Sequence, residues 1–229
     1  LLTQRDYDAV RHPEAVNSSG SRWRPTPPQL VQVLIGLWIF GTGEALVVAS
    51  ELGNSPWTVL AEGVSLHTPL SIGAATFGIG VLVLLCWIPL RERPGLGTVL
   101  NGIIIGVAID ATLAVLPAVT GLGLRWASLL GGIALVGVGS GLYLTAALGP
   151  GPRDGIMTGL NRRFGWPLFA VRTCIELTAV TAGVLLDGTA GIGSLLFALL
   201  VGPAVGLAVR VWEPRAARGR VSLVQPEAH

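Results

Sequence analysis

Two stretches decide the reading of this chain: "LGNSPWTVLAEGVS", Leu52–Ser65, and "LGPGPRDGIMTGLN", Leu148–Asn161. Both read Leu-Gly-x-x-Pro, then a short amphipathic run with a glycine at the same place, Gly63 and Gly159. The first has no basic residue, whereas the second carries Arg153 and runs into Arg162 and Arg163. The two lie 96 residues apart, and sliding the whole sequence on itself by that distance extends the match without a gap. Gly41 and Gly43 fall on Gly137 and Gly139, Pro56 on Pro152, Gly95 and Gly97 on Gly191 and Gly193, and Gly106 on Gly202. From Leu34 to Ala108, 17 of 75 positions are identical to those 96 residues on, concentrated on Gly and Pro, so the repeat concerns backbone shape.

What repeats is a membrane unit. Of 229 residues, 51% are hydrophobic and 12% charged, with a mean hydropathy of +0.67. A soluble domain carries about 25% charged residues. Six apolar runs stand out: Leu30–Ser50, Ser71–Leu90, Leu96–Leu116, Ala127–Ala147, Pro167–Leu186 and Ile192–Val209. Each has about the ~20 residues a helix needs to cross a bilayer. They are continuous rather than alternating, and only helices satisfy their own backbone in lipid. Trp87, Trp126, Trp166 and Trp212 sit at or near their ends, where an interfacial aromatic belt belongs.

The basic residues are all arginine, and their distribution predicts orientation. The N-terminal arm, the second connection (Arg91, Arg93), the fourth (Arg153, Arg162, Arg163) and the C-terminal side are rich in arginine; the first and fifth connections have none and the third only Arg125. That alternation predicts that both termini are cytoplasmic. The expected organisation is a disordered arm over 1–29, a first three-helix repeat over 30–116, a connection over 117–126, a second repeat over 127–211 and a disordered cytoplasmic tail over 212–229. Three crossings per copy is an odd number, so the second copy is expected upside down relative to the first. The fold expectation is therefore all-α: six transmembrane helices as two inverted three-helix repeats, an architecture common among secondary transporters.

Each copy also carries a proline-led segment too short to span. In Gly53-Asn54-Ser55-Pro56, Ser55 can cap a helix and Pro56 suits its first turn; Thr58 follows in that turn. Gly151-Pro152-Arg153-Asp154 has the same design, with Asp154 where a carboxylate suits the helix dipole. These segments are read as half-helices that either re-enter the membrane or lie at its surface. If re-entrant, their N-termini would face an anionic or polar substrate.

Four charged residues fall inside the spans: Glu44, Asp110, Arg172 and Glu176. An Arg or Asp at mid-helix costs ~2.5–3.5 kcal/mol on insertion scales. Their positions in the other copy hold Ser140, Gly206, Gly80 and Thr76 (the last two for Glu176 and Arg172), so these charges break the repeat. They are the candidate substrate or ion pathway, Arg172 and Glu176 as an i, i+4 pair. The alternatives are snorkelling for Arg172 and structural hydrogen bonding for Glu44 and Asp110. Asn101 reads as a hydrogen-bonding link between helices, and Cys86 and Cys174 as inert packing residues. There is no metal-ligand cluster, cofactor motif or nucleophile–base set, and "GVGSG" at Gly137–Gly141 lacks dinucleotide spacing. Enzymatic activity, bound cofactors and nucleic acid are not expected.

"LGNSPWTVL", "IPLRERPGLGTVLN", "LGPGPRDGIMTGL", "VRTCIEL" and "GTAGIGSLLFALLVGP" together resemble the YczE-like family of bacterial integral membrane proteins, related to the YitT group. The resemblance covers Val31 to Arg210. It implies a multi-spanning plasma-membrane protein and points toward export of small molecules. The family's first motif usually reads Ser-Pro-Trp-Asp; this chain has Thr58 in place of that aspartate and keeps Asp154 in the second copy. The expectation is a secondary transporter or exporter of a small polar metabolite or natural product, embedded in the lipid bilayer, with self-association left open. The alternative is a membrane scaffold or regulatory subunit without transport activity.

Overall fold

The computed structural model describes residues 22–221, which are helical or in short turns, with no strand among them. Its helices are α1 (Pro27–Ala49), α2 (Pro56–His67), α3 (Ile72–Leu85), α4 (Trp87–Leu90), α5 (Leu96–Val115), α6 (Leu122–Thr145), α7 (Pro152–Phe164), α8 (Leu168–Leu185) and α9 (Ile192–Val221). Six segments are long and apolar enough to span a membrane: α1, α3 with α4 (Ile72–Leu90), α5, α6, α8 and Ile192–Trp212 of α9. These match the six expected runs, with shifted ends. α6 begins at Leu122 rather than Ala127, because Arg125 inside it pairs with Glu51 and its charge is tolerated there. The second run breaks at Cys86, and α4 ends on Arg91 in the left-handed region (φ 56°). The expected arm enters α1 at Pro27, where Thr26 N–H donates to Gln29 Oε1 (2.9 Å). Residues 213–221, expected in the disordered tail, continue α9. The remainder of the arm (1–21) and of the tail (222–229) lies outside the described residues.

α1 and α6 form the centre. Half of α1's most apolar stretch and 56% of α6's is buried, against 17–28% in the other four spans, whose outer faces show large apolar residues such as Val115, Phe169 and Leu185. The central pair runs antiparallel on glycines. A Cβ at Gly36 would meet the Gly139 carbonyl at 3.0 Å, and one at Gly43 the Gly132 carbonyl at 2.7 Å. Small residues let the backbones approach this closely, which is how helices gain contact in lipid. Val33, Leu37, Val47, Leu129, Ile133 and Val136 fill the seam. α5 then packs on α1 where Gly41 meets Ala108, and α9 packs on α6 where Gly137 meets Ala204.

Local features recur at a spacing of 96. α2 and α7, α3 and α8, and α5 and α9 begin at Pro56/Pro152, Ile72/Leu168 and Leu96/Ile192. Left-handed backbone occurs at Glu51/Ala147, Gly53/Gly149 and Arg91/Asp187. Gly53 and Gly149 hold φ of 118° and 123°, which a side chain resists, so the turn into each short helix needs glycine. The contacts of these turns cross between the copies: Gly193 N–H donates to the Leu52 carbonyl (2.7 Å) and Gly97 N–H to the Leu148 carbonyl (2.9 Å).

Candidate functional site

The short helices begin inside the protein and end at its surface. Asn54, Ser55, Pro56 and Thr58 are buried, whereas Leu66 and His67 at the far end of α2 are exposed. Pro152 and Gly155 are buried at the start of α7, and Phe164 at its end is exposed. Each helix docks against the second span of the other copy. α2 lies on α8, where a Cβ at Gly183 would strike the backbone of Val59 and Leu60 (2.6 Å). α7 lies on α4, where Gly155 leaves room for the Trp87 ring and Trp87 Nε1–H donates to the Pro152 carbonyl (2.8 Å). Bulk and glycine have exchanged sides between the two docks. The repeated Gly63 and Gly159 receive Leu186 and Leu90 at the span ends.

Charged links hold the outer ends of these docks. Glu62 on α2 accepts from Thr189 N–H (2.6 Å), Thr189 Oγ1 (3.1 Å) and Asn54 Nδ2 (2.8 Å). At the opposite end of the bundle Arg162 on α7 pairs with Glu92, and Arg163 donates to the Pro89 carbonyl. Two of the arginines that distinguish the second motif, Arg162 and Arg163, therefore hold the end of the first copy's second span and the connection that follows it.

Between these links the first turns meet. The Arg153 guanidinium lies over the Trp57 ring, 5.5 Å from its centroid, within cation–π range. Trp57, Pro152 and Arg153 line a cavity closed by the middle of α3 (Thr76, Gly80) and by Asn101 on α5. Asn101, expected to link helices, makes no hydrogen bond among the described residues and instead faces this space.

Glu44 stands beside that contact. It is 2% exposed, and its Oε2 accepts from Ser55 Oγ (2.8 Å) and Thr58 Oγ1 (2.7 Å) at the start of α2. It lies within electrostatic reach of Arg153. Thr58 occupies the position where the family resemblance leads one to expect aspartate, and α1 supplies the carboxylate there instead. In the second copy the roles are reversed: Asp154 sits on the short helix, and Tyr143 of the long helix α6 donates to it (3.3 Å). Arg153 and Arg172 are both within electrostatic reach of Tyr143.

The four expected intramembrane charges thus divide. Glu44 joins the half-helix starts. Arg172 lies toward Tyr143 and pairs with Glu176 (Nε–Oε1 3.0 Å) on half-buried side chains. Asp110 stands apart: its oxygens accept from Ser71 Oγ (2.5 Å) and Gly73 N–H (2.8 Å), so it caps the start of α3. Sequence reasoning did not pick out Trp57, Tyr143 or Glu62. A signal for Trp57 was present, since it occupies the register position of Arg153. Cys86 and Cys174, expected to pack inside, are exposed on the outer faces. No group of three His, Cys, Asp or Glu side chains among the described residues is placed to hold a metal.

The chain matches, over residues 28–210, the family described as "Family of unknown function (DUF6198)". It is 42% identical over 185 residues to an uncharacterised protein of Haemophilus influenzae, covering 81% of this chain and 85% of that one. It is 34% identical over 169 residues to the uncharacterised membrane protein YczE of Bacillus subtilis, covering 73% and 79% of the two chains. It is also 30% identical over 175 residues to the uncharacterised protein YyaS of the same organism, covering 73% and 86%. No solved structure matches. The chain belongs to the DUF6198 family, as a multi-pass membrane protein related to YczE.

Proposed function

We propose that this member of the DUF6198 family is a secondary transporter of small polar molecules, built as two inverted three-helix repeats in the plasma membrane, with both termini cytoplasmic and no enzymatic activity. One observation carries the reading. The first turns of two half-helices, one from each copy, come together as Arg153 over Trp57, beside buried Glu44 and against the middle of α3 and α5. Discontinuous helices meeting at mid-depth are where transporters of this kind hold their substrates.

The crossed contacts support the inverted arrangement. Gly36 contacts Gly139 and Gly43 contacts Gly132, which are one pair exchanged with its own register equivalents. An antiparallel exchange of equivalent contacts is what an axis in the membrane plane produces. The alternation of arginine-rich and arginine-poor connections supports the cytoplasmic termini.

The mechanism follows from the docks. Each half-helix is held at its surface end by a link to the other copy: Glu62 with Thr189 at one end of the bundle, Arg162 with Glu92 at the other. With both links formed, the site between the first turns is closed toward each side. Releasing one link at a time opens the site to one side and then the other, and the repeat makes the two openings equivalent in kind. Glu44 is the more deeply buried of the two acidic groups at the half-helix starts, the other being Asp154, and the one we assign to coupling with protons.

The test is flux in vesicles containing the purified full chain. Efflux or uptake of a small polar solute should fall at least tenfold in Arg153→Ala and Glu44→Gln while the protein still assembles. Flux unchanged in both, together with a co-purifying protein, returns the chain to the scaffold reading.

A further inference from the structure

The half-helix starts leave particular polar atoms without partners, that of Trp57 in the cavity wall and those of Glu44 and Asn54 outside its lining, and their chemistry points to one class of ligand. Glu44 is 2% exposed; Oε2 takes both nearby hydroxyls, while Oε1 is buried and accepts nothing. Asn54, 1% exposed, also has a buried unpartnered acceptor, Oδ1, and Trp57 has an unpartnered buried donor, Nε1. Leaving such groups unsatisfied costs ~1–3 kcal/mol each. Across the same contact, Arg153 makes no hydrogen bond or ion pair among the described residues; its guanidinium lies over the face of Trp57, within electrostatic reach of Glu44 and Tyr143. Asp154, next to it, is already engaged by Tyr143.

Resting on the transporter reading above, we propose that this site binds a small zwitterion carrying a primary ammonium and a carboxylate, of the amino-acid type. The ammonium donates to Glu44 Oε1 and the carboxylate pairs with the Arg153 guanidinium, whose planar donors match it in a forked geometry. Charge balance favours this class over simpler ones. Glu44 and Arg153 are of opposite sign, and a zwitterion offers each its counter-charge. A lone amine or a lone acid would engage one and leave the other without a counter-charge from the ligand. Small size follows from the walls, where Gly80 and Gly102 face the cavity and the Trp57 ring forms one side. The placement of Arg153 at the first turn of α7 adds the helix's positive end to the carboxylate side.

The test is binding to the purified full-length protein in lipid nanodiscs, read by thermal shift and by competition. The probes are neutral α-amino acids, β-alanine and γ-aminobutyrate, each beside its decarboxylated amine and its deaminated acid. The proposal expects at least one zwitterion to bind, its two single-charge analogues to bind at least tenfold more weakly, Glu44→Gln to abolish the preference over the acid, and Arg153→Gln to abolish the preference over the amine. The fold of both variants is checked by the unliganded melting temperature, and Arg153→Lys, which keeps the charge, should recover part of the binding. The proposal is overturned if no zwitterion in the panel binds to folded protein. It is equally overturned if an analogue binds as tightly as its zwitterion, or if neither substitution changes the ranking. Binding without flux in vesicles would sink the transporter reading and leave this one standing; flux of another solute class without zwitterion binding would do the reverse.

Discussion

Trp57 and Arg153 occupy the same register position in the two copies, 96 residues apart, and they touch each other, the guanidinium 5.5 Å from the ring centroid. In the inverted arrangement proposed above, two equivalent positions contact one another only beside the axis that exchanges them. That gives a reason for the change of charge between the two motifs. Two identical side chains on such an axis would set cation against cation or ring against ring. Tryptophan opposite arginine gives attraction, and leaves the guanidinium's donors free toward the cavity.

Gly155 is expected to be intolerant of any side chain. A Cβ there would run into the Trp87 ring, which is itself fixed by its bond to the Pro152 carbonyl (2.8 Å). Overpacking of this kind costs ~1–3 kcal/mol, so Gly155→Ala should lower the melting temperature by roughly 2–10 °C. Trp87→Phe, which removes the colliding part of the indole, should recover part of that loss in the double variant. A thermal-unfolding series in detergent checks it; additive losses would show that the two residues do not meet.

Gly53 and Gly149 should fail alike. Both turn the chain into a half-helix at φ near 120° (118° and 123°), and a Cβ on each would press on the start of a span of the other copy, at Gly191 and at Gly95. Alanine at either site should destabilise by about 1–3 kcal/mol or more, and the two costs should agree within roughly 1 kcal/mol, the spread expected of similar environments. Chemical or thermal unfolding of the paired variants measures this. A large loss at one site with none at the other would mean that the turns are not equivalent.

Asp110 separates structural charge from site charge. Its carboxylate satisfies Ser71 Oγ and Gly73 N–H at the start of α3, away from Arg153. Asp110→Ala should cost about 1.5–3 kcal/mol, as hydrogen bonds to a charged group do, and should leave solute binding and flux per folded molecule unchanged. Loss of flux in protein of normal stability would put Asp110 back on the pathway.

The spans were legible because hydropathy and length settle them, and the errors fell where a partner changes the rule. Arg125 reads as a loop residue by charge, yet it lies inside α6 because Glu51 meets it. Glu44 was legible as an anomaly, since a carboxylate in an apolar run demands company; that Ser55 and Thr58 supply it depends on how α2 folds back. Trp57 and Tyr143 carried no such mark, because an aromatic in an apolar segment is ordinary in lipid and only tertiary placement makes it part of a site. Asp110 shows the converse: an equally anomalous charge whose partners are backbone and serine at a helix start.

The most direct test of the account asks from which side each half-helix ends. With Cys86 and Cys174 replaced by alanine, single cysteines at Leu66 and at Phe164, exposed at the far ends of α2 and α7, are labelled with a membrane-impermeant reagent in intact cells and in inside-out vesicles. The account predicts that Leu66→Cys labels from outside only and Phe164→Cys from the cytoplasmic side only. Labelling of both from one side would contradict the inverted arrangement, and with it the two-sided site on which the proposed transport rests.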